Sequence, residues 1–395
     1  MKRVIIAGVG PGSKSCLTEE VKEAIDNSEV LIGSKRLIEE YTDKKTFYAV
    51  TAKDIIDIID NENANNYVVL MSGDTGFYSG AKKLAEALAG KYEYSIMAGV
   101  SSVIYLAAKI GKSWENAAFV SLHGKKQSYI PVVLQNELTY FLTQGNVSQI
   151  CQELYRAGLG QAHIWIGENL SYDNEKITNG NVSEFTEYIS EGLTVLAVYN
   201  EHSRAFSITG IADSSFIRSD VPMTKREIRA SVVSRMAVSK NSCVYDIGAG
   251  TGSVTVELAL HALYGTVYAV ERTEEGCSLI AKNAEKFGLN NIEIIHGNAA
   301  VIDSLPVPDK VFIGGSGGEL EYIFSSILKK NPYVHIVVTA VTLETLNNTI
   351  SLMEKNGVNV LDIVQIAVTE VKKRGRYHMM SANNPVFIIE GRGAK

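Results

Sequence analysis

The chain has 395 residues, too many for one ordinary hydrophobic core, so we expect two or three domains. Hydrophobic residues make up 46% and charged residues 21%, a composition typical of soluble globular proteins that excludes disordered and collagen-like chains. The formal net charge of -6 argues against a general nucleic-acid binder, and we expect no nucleic-acid partner.

The first residues and the cysteines bear on the cellular compartment. Residues 1–12, MKRVIIAGVGPG, join two basic residues to a short apolar run that glycines interrupt, which does not fit a secretory signal. No apolar stretch approaches the ~20 residues that span a bilayer. The four cysteines lie far apart without a C-x-x-C pair, so we expect neither disulfides nor a zinc site, and no other metal. The sequence therefore predicts a cytoplasmic protein without a membrane partner.

Strands and helices alternate over the first 200 residues. Residues 4–10, VIIAGVG, are typical of a buried strand, and a glycine turn and a helical pattern over 17–33 follow. Further helices are predicted at 79–90 and 101–111, and further strands at 67–74, 94–99, 117–124, 139–145, 163–169 and 194–200. This alternation favours parallel strands in an α/β sheet, with a second α/β unit from about Pro131.

The second half repeats this pattern after a polar stretch. Residues 206–220 are the best linker candidate, so we predict domains at 1–205 and 212–395 and expect each to fold and act alone. Pro222 followed by Thr224 predicts the start of a helix. A strand, a glycine turn and a helix occupy 242–260, and further strands are predicted at 265–272, 291–299, 310–318 and 335–345. The last extended runs, 360–373 and 385–391, are predicted to pair antiparallel around a basic, polar loop.

The glycine turn of the second half favours an adenosine ligand. Glycines after Asp246 let a ligand approach the backbone at a helix N-terminus; the turn residues are Gly248, Ala249, Gly250, Thr251 and Gly252. The dinucleotide fingerprint would need glycine where Ser253 stands. Glu271 closes the next strand, where a carboxylate can accept both ribose hydroxyls, and Asn298 and Ala299 close the third, near an adenine edge. S-adenosylmethionine fits these features; the alternative is a tight turn that only packs helix on strand.

The glycine turn of the first half is less informative. It contains Gly8, Gly10 and Gly12, but Pro11 removes a backbone donor that a phosphate cradle would use. Taken alone, this turn fits a ligand site and a strained turn at a strand end equally well.

A family resemblance adds to this description of the first half. Its segments are GVGPG at 8–12, SGDTGFYSG at 72–80, AGVSSVIYLAAKIG at 98–111, SLHGK at 121–125 and IGENLSYDNEKI at 166–177. Together they resemble the tetrapyrrole (corrin and porphyrin) methyltransferases, in the branch that methylates carbon 5 of cobalamin precursors. The resemblance implies a two-lobed fold of two α/β subdomains with a cleft, and cofactor contacts from Gly10, Pro11, Gly73, Asp74, Ser101 and Ser102. Thr75 departs from the family's Gly-Asp-Pro, a change expected to loosen the turn slightly.

A second resemblance covers the other half. Its segments are VPMTKREIR at 221–229, DIGAGTGSV at 246–254, FIGGSGGEL at 312–320, VTLET at 341–345 and NPVFIIEG at 384–391. They resemble the decarboxylating precorrin methyltransferases that act at carbon 15. The resemblance implies a Rossmann-like class I methyltransferase fold with a terminal antiparallel hairpin, and an S-adenosylmethionine site lined by Thr224, the turn from Gly248 to Gly252, Glu271 and Ala299.

Both halves in this order resemble the fused precorrin-6Y C5,15-methyltransferases (decarboxylating) of cobalamin biosynthesis. The resemblance implies methyl transfer from S-adenosylmethionine to carbons 5 and 15 of a precorrin-6 type tetrapyrrole, with or without cobalt. It also implies loss of the carbon 12 acetate carboxylate, giving a precorrin-8 type product. Two cofactor sites per chain and a homo-oligomer, a dimer or a tetramer, are expected.

Such chemistry needs few catalytic side chains, since the macrocycle supplies the nucleophile and the protein aligns it with the methyl group and excludes water. The substrate's carboxylates call for local cations, which cluster with two rings in the terminal loop: Lys372, Lys373, Arg374, Arg376, Tyr377 and His378. Arginine pairs carboxylates bidentately, and His378 is the candidate for moving a proton. The alternative is a solvated charge run at a hairpin tip.

Two further groups of charged residues leave similar alternatives open. Lys225, Arg226 and Arg229 stand at the predicted helix start, where positions 225 and 229 share one face. Asp74, Glu168 and His123 follow strands of the first domain. Each is a candidate for orienting cofactor or substrate, or for a hydrogen-bonded structural role.

Two other functions remain as hypotheses. One is a methyltransferase of another substrate class, such as RNA, with the N-terminal domain as a docking module; the net charge and the lack of aromatic residues between basic ones count against it. The other is a ligand-regulated binding protein with a silent N-terminal site, against which the intact segments at 72–80 and 98–103 count.

Overall fold

The structure is a computed structural model that describes residues 2–123 and 127–394. These residues form two compact units. The first comprises 2–123 and 136–202, and the second comprises 127–135 and 203–394.

The first sheet is parallel throughout, as predicted. Its strands run in the order β3-β2-β4-β1-β5; they are β1 (Arg3–Gly8), β2 (Val30–Gly33), β3 (Lys45–Tyr48), β4 (Asn66–Met71) and β5 (Glu93–Met97). The helices of this region are α1 (Glu19–Asp26), α2 (Lys35–Ile38), α3 (Ala52–Asn61) and α4 (Ala81–Leu88). Val30 and Ile32 pack on the side of α3 and α4, whereas Leu31 packs on the side of α1 and α2. Both faces of the central strands β1, β2 and β4 are covered, so these strands are mainly continuous apolar runs.

The predicted helical pattern over 17–33 is wrong in its second part. Helix α1 ends at Asp26, and Val30–Gly33 is strand β2. A four-residue apolar run carries no periodicity that separates helix from strand, and burial on both faces decides for the strand here.

The second sheet is mixed and begins earlier than Pro131. Its order is β6-β7-β10-β8-β9, with β6 parallel to β7 and the other neighbours antiparallel. The strands are β6 (Ala118–Ser121), β7 (Leu138–Leu142), β8 (His163–Glu168), β9 (Lys176–Asn181) and β10 (Thr194–Tyr199), with helices α5 (Ser102–Ile110) and α7 (Val147–Leu154). The expectation of parallel strands therefore fails for this sheet, since β9 follows β8 as a hairpin and β10 lies antiparallel to both β7 and β8.

Between β6 and β7, residues 127–135 and their helix α6 (Ile130–Gln135) pack on the second unit; we call this segment the arm. Ser128 Oγ donates to Asn291 Oδ1 at 2.7 Å and accepts from Asn290 N at 2.7 Å. A Cβ on Gly288 would lie 2.5 Å from Ile130. A stretch inside the predicted domain 1–205 thus belongs to the core of the other unit.

The sheet of the second unit is Rossmann-like. Its order is β13-β12-β11-β14-β15-β19-β16, with five parallel strands and β19 antiparallel between β15 and β16, which confirms the antiparallel terminal runs. The strands are β11 (Cys243–Ile247), β12 (Thr266–Glu271), β13 (Ile292–His296), β14 (Lys310–Ile313), β15 (His335–Ala340), β16 (Val358–Ile366) and β19 (Val386–Gly393). The helices are α8 (Arg226–Met236), α9 (Ser253–His261), α10 (Glu274–Lys286), α11 (Leu320–Lys330) and α12 (Leu343–Lys355).

The predicted basic loop near the C-terminus is instead a two-stranded sheet of its own. Strands β17 (Thr369–Arg374) and β18 (Tyr377–Ala382) pair antiparallel, with Arg374 opposite Tyr377. Gly375 has a φ of 59°, which the tight turn requires.

The predicted linker is ordered on the second unit. Buried Glu257 accepts hydrogen bonds from Gly210 N at 2.8 Å and Ile211 N at 2.9 Å, and Ile217 N donates to Asn283 Oδ1 at 2.8 Å. Phe216 lies in the hydrophobic core of this unit. The backbone of the polar stretch 206–220 is thus held by hydrogen bonds to buried side chains. The helix predicted near Thr224 is α8, which begins two residues later, at Arg226.

None of the helices in the described residues has the length and apolar character needed to cross a bilayer.

Candidate functional site

Three loops meet at the carboxyl edge of the first sheet. Gly10 N donates to Gly73 O at 3.1 Å, and Gly73 N donates to Gly10 O at 2.8 Å. Both residues have positive φ, and a Cβ on Gly99 would lie 2.4 Å from the carbonyl oxygens of Gly8 and Gly73. The glycines are therefore required for the close contact of the loops that follow β1, β4 and β5.

The Asp74 carboxylate organises these loops. Its Oδ1 accepts from Gly99 N at 3.0 Å and its Oδ2 from Gly76 N at 2.9 Å. Thr75, which stands where the family resemblance predicts proline, donates from Oγ1 to Met97 O at 3.1 Å. This bond ties the loop to the end of β5. Thr75 therefore restrains the loop by a hydrogen bond, whereas a proline would restrain it by its fixed φ.

Beside these loops lies a cavity of about 320 Å³, which we call the first cavity. It brings together six residues considered in the sequence analysis: Pro11, Gly73, Asp74, Ser101, Ser102 and His123. Gly10 supports it through its bonds to Gly73. Burial lowers the pKa of His123, which favours a neutral imidazole. The segment SLHGK at 121–125 extends beyond the described residues at Gly124 and Lys125.

The side chains that complete the first cavity are not among the predicted site residues. Helix α2, directly after β2, contributes Arg36, and the loop after β4 contributes Phe77 and Tyr78. The second sheet and its adjoining loops contribute four apolar residues and two threonines: Leu142, Thr143, Leu170, Leu193, Thr194 and Val195. No sequence signal points to Arg36, because the strand that precedes it, Val30–Gly33, is predicted as part of a helix.

Glu168 is not part of the first cavity. It is buried, its Oε2 accepts from the Tyr188 hydroxyl at 2.6 Å, and its Oε1 accepts from Glu191 N at 2.6 Å. These bonds give it the structural role that the sequence left open.

The second glycine turn lies at the carboxyl edge of the sheet of the second unit. Gly248, Gly250 and Gly252 all have positive φ, and a Cβ on Gly248 would lie 2.4 Å from Gly315 O. A Cβ on Gly250 would lie 3.0 Å from Pro222 O, so the stretch before Thr224 passes beside the turn. Glycine is needed here for the close approach of three backbone segments.

Glu271 lies at the end of β12, beside this turn. Its Oε2 accepts from Gly250 N at 2.8 Å, and its Oε1 accepts from Thr273 N at 2.9 Å and Thr273 Oγ1 at 2.8 Å. Burial opposes ionisation, but these donors outweigh it and lower the pKa of the carboxyl. Glu271 is therefore ionised at neutral pH and already orders the turn; its contact with a ribose stays a prediction.

Asn298 and Ala299 lie one strand further, after β13. Ala299 N donates to Glu319 Oε2 at 3.2 Å, and Asn298 Oδ1 accepts from Ala300 N at 3.2 Å. Glu319, which the sequence analysis quoted only within the motif FIGGSGGEL, thus joins the ends of β13 and β14.

Two buried polar atoms near the turn have no hydrogen-bond partner among the described residues. They are Asp246 Oδ1 and Thr251 Oγ1. The other carboxylate oxygen, Asp246 Oδ2, accepts from Thr255 Oγ1 at 2.5 Å. Burial raises the pKa of Asp246 to about 7.

Arg226 and Arg229 are structural. Arg229 is fully buried; its Nε donates to Glu257 Oε1 at 2.6 Å, and its Nη1 donates to Asp213 Oδ1 at 3.2 Å and to Thr224 O at 2.7 Å. Arg226 Nε donates to Gly210 O at 2.7 Å. Arg229 thereby fixes Thr224, the candidate cofactor contact before α8.

The hairpin β17–β18 carries the predicted substrate residues in the open. Arg374, Arg376, Tyr377 and His378 are all exposed. No hydrogen bond or ion pair within 2–123 and 127–394 joins these four to the glycine turn. At the base of the hairpin, hydrogen bonds from Lys372 and Asn383 lower the pKa of Glu370.

Comparisons with known proteins match each half of the chain to a family. Residues 3–186 match the family of tetrapyrrole (corrin/porphyrin) methylases, and residues 215–391 match the precorrin methyltransferase domain. A Sinorhizobium precorrin-6Y C(5,15)-methyltransferase [decarboxylating] is 26% identical over 351 residues, which cover 86% of this chain and 84% of that protein.

Two shorter proteins each match about half of the chain. A probable cobalt-precorrin-6B C(15)-methyltransferase (decarboxylating) of Saccharolobus solfataricus is 41% identical over 194 residues, which cover 47% of this chain and 96% of that protein. A solved structure of a Geobacter metallireducens precorrin-6y C5,15-methyltransferase is 34% identical and covers 48% of this chain and 100% of that one, with a TM-score of 0.45.

Proposed function

The chain belongs to the fused precorrin-6Y C5,15-methyltransferases, and from this premise we propose how its two halves share the work. It is an S-adenosylmethionine-dependent C-methyltransferase of cobalamin biosynthesis that acts on a tetrapyrrole and decarboxylates it. The first unit methylates carbon 5. The second unit methylates carbon 15 and removes the carboxylate of the carbon 12 acetate.

Two glycine-lined turns on separate sheets carry this proposal. Each lies at the carboxyl edge of parallel strands, where ligands of α/β sheets bind. Two features of the second turn support S-adenosylmethionine as its ligand: the turn leads into the N-terminus of α9, and the ionised Glu271 lies beside it, where we expect the ribose. The unpaired Thr251 Oγ1 is a further polar group at this turn. We infer one cofactor molecule at each turn, two per chain.

The residues of the first cavity position reactants and exclude water. S-adenosylmethionine, when bound, supplies a methyl group on a sulfonium that an electron-rich ring carbon can attack. Gly73 and the Asp74 loop fix the backbone around the cavity, and its leucine and valine side chains keep water from the reacting atoms. Burial lowers the pKa of His123, so this imidazole adds no second cation to Arg36 among the described residues that line the cavity.

The decarboxylation draws its electron sink from the substrate. The conjugated macrocycle, protonated or imine-like, accepts the electron pair released with carbon dioxide, and the second unit holds the ring in place. We assign Arg374, Arg376 and Tyr377 of the exposed hairpin to substrate carboxylates and His378 to proton movement. The cluster of exposed cations on this hairpin supports the assignment.

We also infer a homo-oligomer, a dimer or a tetramer. The hairpin exposes Val371, Met379 and Met380, with 62%, 53% and 78% of each residue accessible, and such apolar surface favours burial against another copy. Light scattering on the purified chain tests this: a monomer at micromolar concentration contradicts it.

One experiment on the full chain tests the division of labour. Gly99→Ala places a Cβ against Gly8 and Gly73, and Gly248→Ala places one against Gly315. We expect the first change to abolish carbon 5 methylation, and the second to abolish carbon 15 methylation and carbon dioxide release. Calorimetry with S-adenosylhomocysteine should fall from two sites to one in each variant.

The products from precorrin-6B, and from its cobalt complex, are identified by mass spectrometry and by carbon NMR with labelled methyl groups. A single cofactor site in the unaltered chain, or the reverse assignment of the two carbons, contradicts the proposal. Whichever tetrapyrrole is converted decides the cobalt status of the substrate.

A further inference from the structure

Arg36 is the one lysine or arginine among the described residues that line the first cavity. It lies in the short helix α2, directly after β2. Leu37 and Ile38 of this helix are buried in the core, while Lys35 points into solvent with 80% of its side chain exposed and lies 3.6 Å from Glu39. The helix therefore presents Arg36 to the cavity and Lys35 to water.

Neutral oxygens hold the Arg36 guanidinium. Nη1 donates to Pro11 O at 3.3 Å and to the Tyr172 hydroxyl, and Nη2 donates to Ser72 Oγ at 3.0 Å. A guanidinium has five N–H groups, so Nε–H and one Nη2–H have no acceptor within 2–123 and 127–394. No carboxylate of the same ranges pairs with Arg36, which is half-buried.

The carboxylate of the first cavity is already committed. Both oxygens of Asp74 accept backbone N–H groups, from Gly99 and Gly76. Arg36 is thus a partly desolvated charge whose counter-ion is not supplied by its surroundings. Its three bonds fix the plane of the guanidinium, so an incoming anion meets a preorganised pair of donors and loses little binding energy to side-chain ordering.

The loop after β8, residues 169–172, adds to this preorganisation. Ser13 N donates to Ser171 Oγ at 2.9 Å, and the Tyr172 ring lies against Gly12, so that the loop closes over the turn that carries Pro11. Asn169 and Ser171 have positive φ, a conformation that costs energy in residues other than glycine and is characteristic of ligand-binding segments. Arg36 joins this loop to the turn and to the end of β4.

We propose that Arg36 is the carboxylate anchor of the first cavity, where its Nε–H and remaining Nη2–H bind one ligand carboxylate bidentately. The proposal rests on the function assigned to the first unit and adds the residue that selects an anionic ligand there. Two ligands carry carboxylates, the tetrapyrrole and the methionine part of S-adenosylmethionine, and the experiment distinguishes them.

The experiment compares each ligand with its carboxylate-free form in the full chain. The steady-state kinetics of carbon 5 methylation are measured for precorrin-6B and its methyl esters. Calorimetry is performed with S-adenosylmethionine and decarboxylated S-adenosylmethionine. The variants are Arg36→Gln, which removes the charge, and Lys35→Gln, the exposed neighbour that serves as the matched control. Carbon 15 methylation in the same samples is the internal reference.

For Arg36→Gln we expect a loss of roughly 10- to 100-fold for one free-acid ligand, seen in KM or Kd, because a charge-assisted hydrogen bond contributes that much. The carboxylate-free form of that ligand should lose less than twofold. Which ligand shows the difference identifies the source of the carboxylate. Lys35→Gln should change neither, and Arg36→Lys should recover part of the loss.

Ser72→Ala and Tyr172→Phe test the alternative that Arg36 only joins the loops. Each removes one of its bonds while the charge stays, so the preference for the carboxylate form should persist. Equal losses for free-acid and carboxylate-free ligands in Arg36→Gln, or no loss, overturn the proposal. If the unaltered chain makes no carbon 5 product, the assigned function fails instead, and the calorimetric arm still tests Arg36.

Discussion

Glu257→Gln should destabilise the second unit more than any surface change, because it leaves Arg229 buried without its main partner. Arg229 and Glu257 are both fully buried, and their Nε and Oε1 atoms lie 2.6 Å apart. Glu257 also accepts the N–H groups of Gly210 and Ile211. A glutamine removes the negative charge. Its NH₂ group also replaces one acceptor oxygen, so it faces the N–H groups of Arg229, Gly210 or Ile211 without a hydrogen bond.

The size of the effect follows from burial. Breaking a buried ion pair by removal of one partner costs about 3–5 kcal/mol, whereas a whole domain is stable by roughly 5–15 kcal/mol. Asp213, whose side chain is 24% exposed, still faces Arg229 and limits the loss. We therefore expect about 3 kcal/mol, near the lower end of that range.

Hydrogen exchange and fluorescence together measure this change in the full chain. Peptides covering 206–224 should lose protection at Gly210 and Ile211. Both tryptophans, Trp114 and Trp165, belong to the first unit, so the fluorescence midpoint in urea reports that unit and gives the reference. Far-UV circular dichroism should show an earlier transition for the second unit.

Two variants sharpen the test. Lys355→Gln breaks an exposed pair with Glu321, 2.6 Å apart with both side chains about two-thirds exposed, and should leave the unfolding curves where they are. Arg229→Met in the Glu257→Gln background should recover stability, since it removes the unpaired charge. If Glu257→Gln behaves like Lys355→Gln, the reasoning from burial is refuted.

Three further predictions concern pH, the hairpin and the arm. The folded-state pKa of Asp246, about 7, lies above the ordinary value of 3.8, so its contribution to stability is complete below about pH 4 and is lost as the pH rises through 7. Asp246→Asn should remove roughly 3 kcal/mol of pH dependence between pH 5 and 8 in urea titrations; an unchanged slope contradicts the prediction. Arg374→Ala and Arg376→Ala should weaken tetrapyrrole binding roughly 10- to 100-fold and leave S-adenosylhomocysteine binding unchanged; an unchanged tetrapyrrole Kd returns these residues to solvated charges. Ser128→Ala should destabilise the second unit by about 1–3 kcal/mol, because Asn291 Oδ1 and Asn290 N lose a buried partner; unchanged exchange in peptides covering 287–292 argues against it.

The sequence was most informative where glycine chemistry and strand ends coincide. The turns at Gly10 and Gly248 were predictable because close backbone contact demands glycine, and Glu271 because a strand end fixes its place. Short apolar runs were not: Val30–Gly33 is a strand, and only the sheet around it decides that.

Long-range pairing explains the remaining differences. Arg229 is among the cations considered for substrate binding. In the fold it is buried in an ion pair with Glu257, which lies 28 positions later in the chain. Arg36 gave no local motif, and its role became visible only when the folded loops placed Pro11, Ser72 and Tyr172 around it. The activities assigned to the two halves stay a prediction.

The arm has a consequence for how the chain is synthesised. Ser128 leaves the ribosome 163 residues before its partner Asn291, a delay of roughly 8 to 30 seconds at ~5–20 residues per second. During that time the first unit can complete its sheets through β10. The apolar face of α6, with Ile130 and Val133, cannot yet be buried, because the second unit on which it packs has not been synthesised. The second unit is thus closed by a segment made long before it, and the order of synthesis makes the docking of the arm one of the last steps of folding.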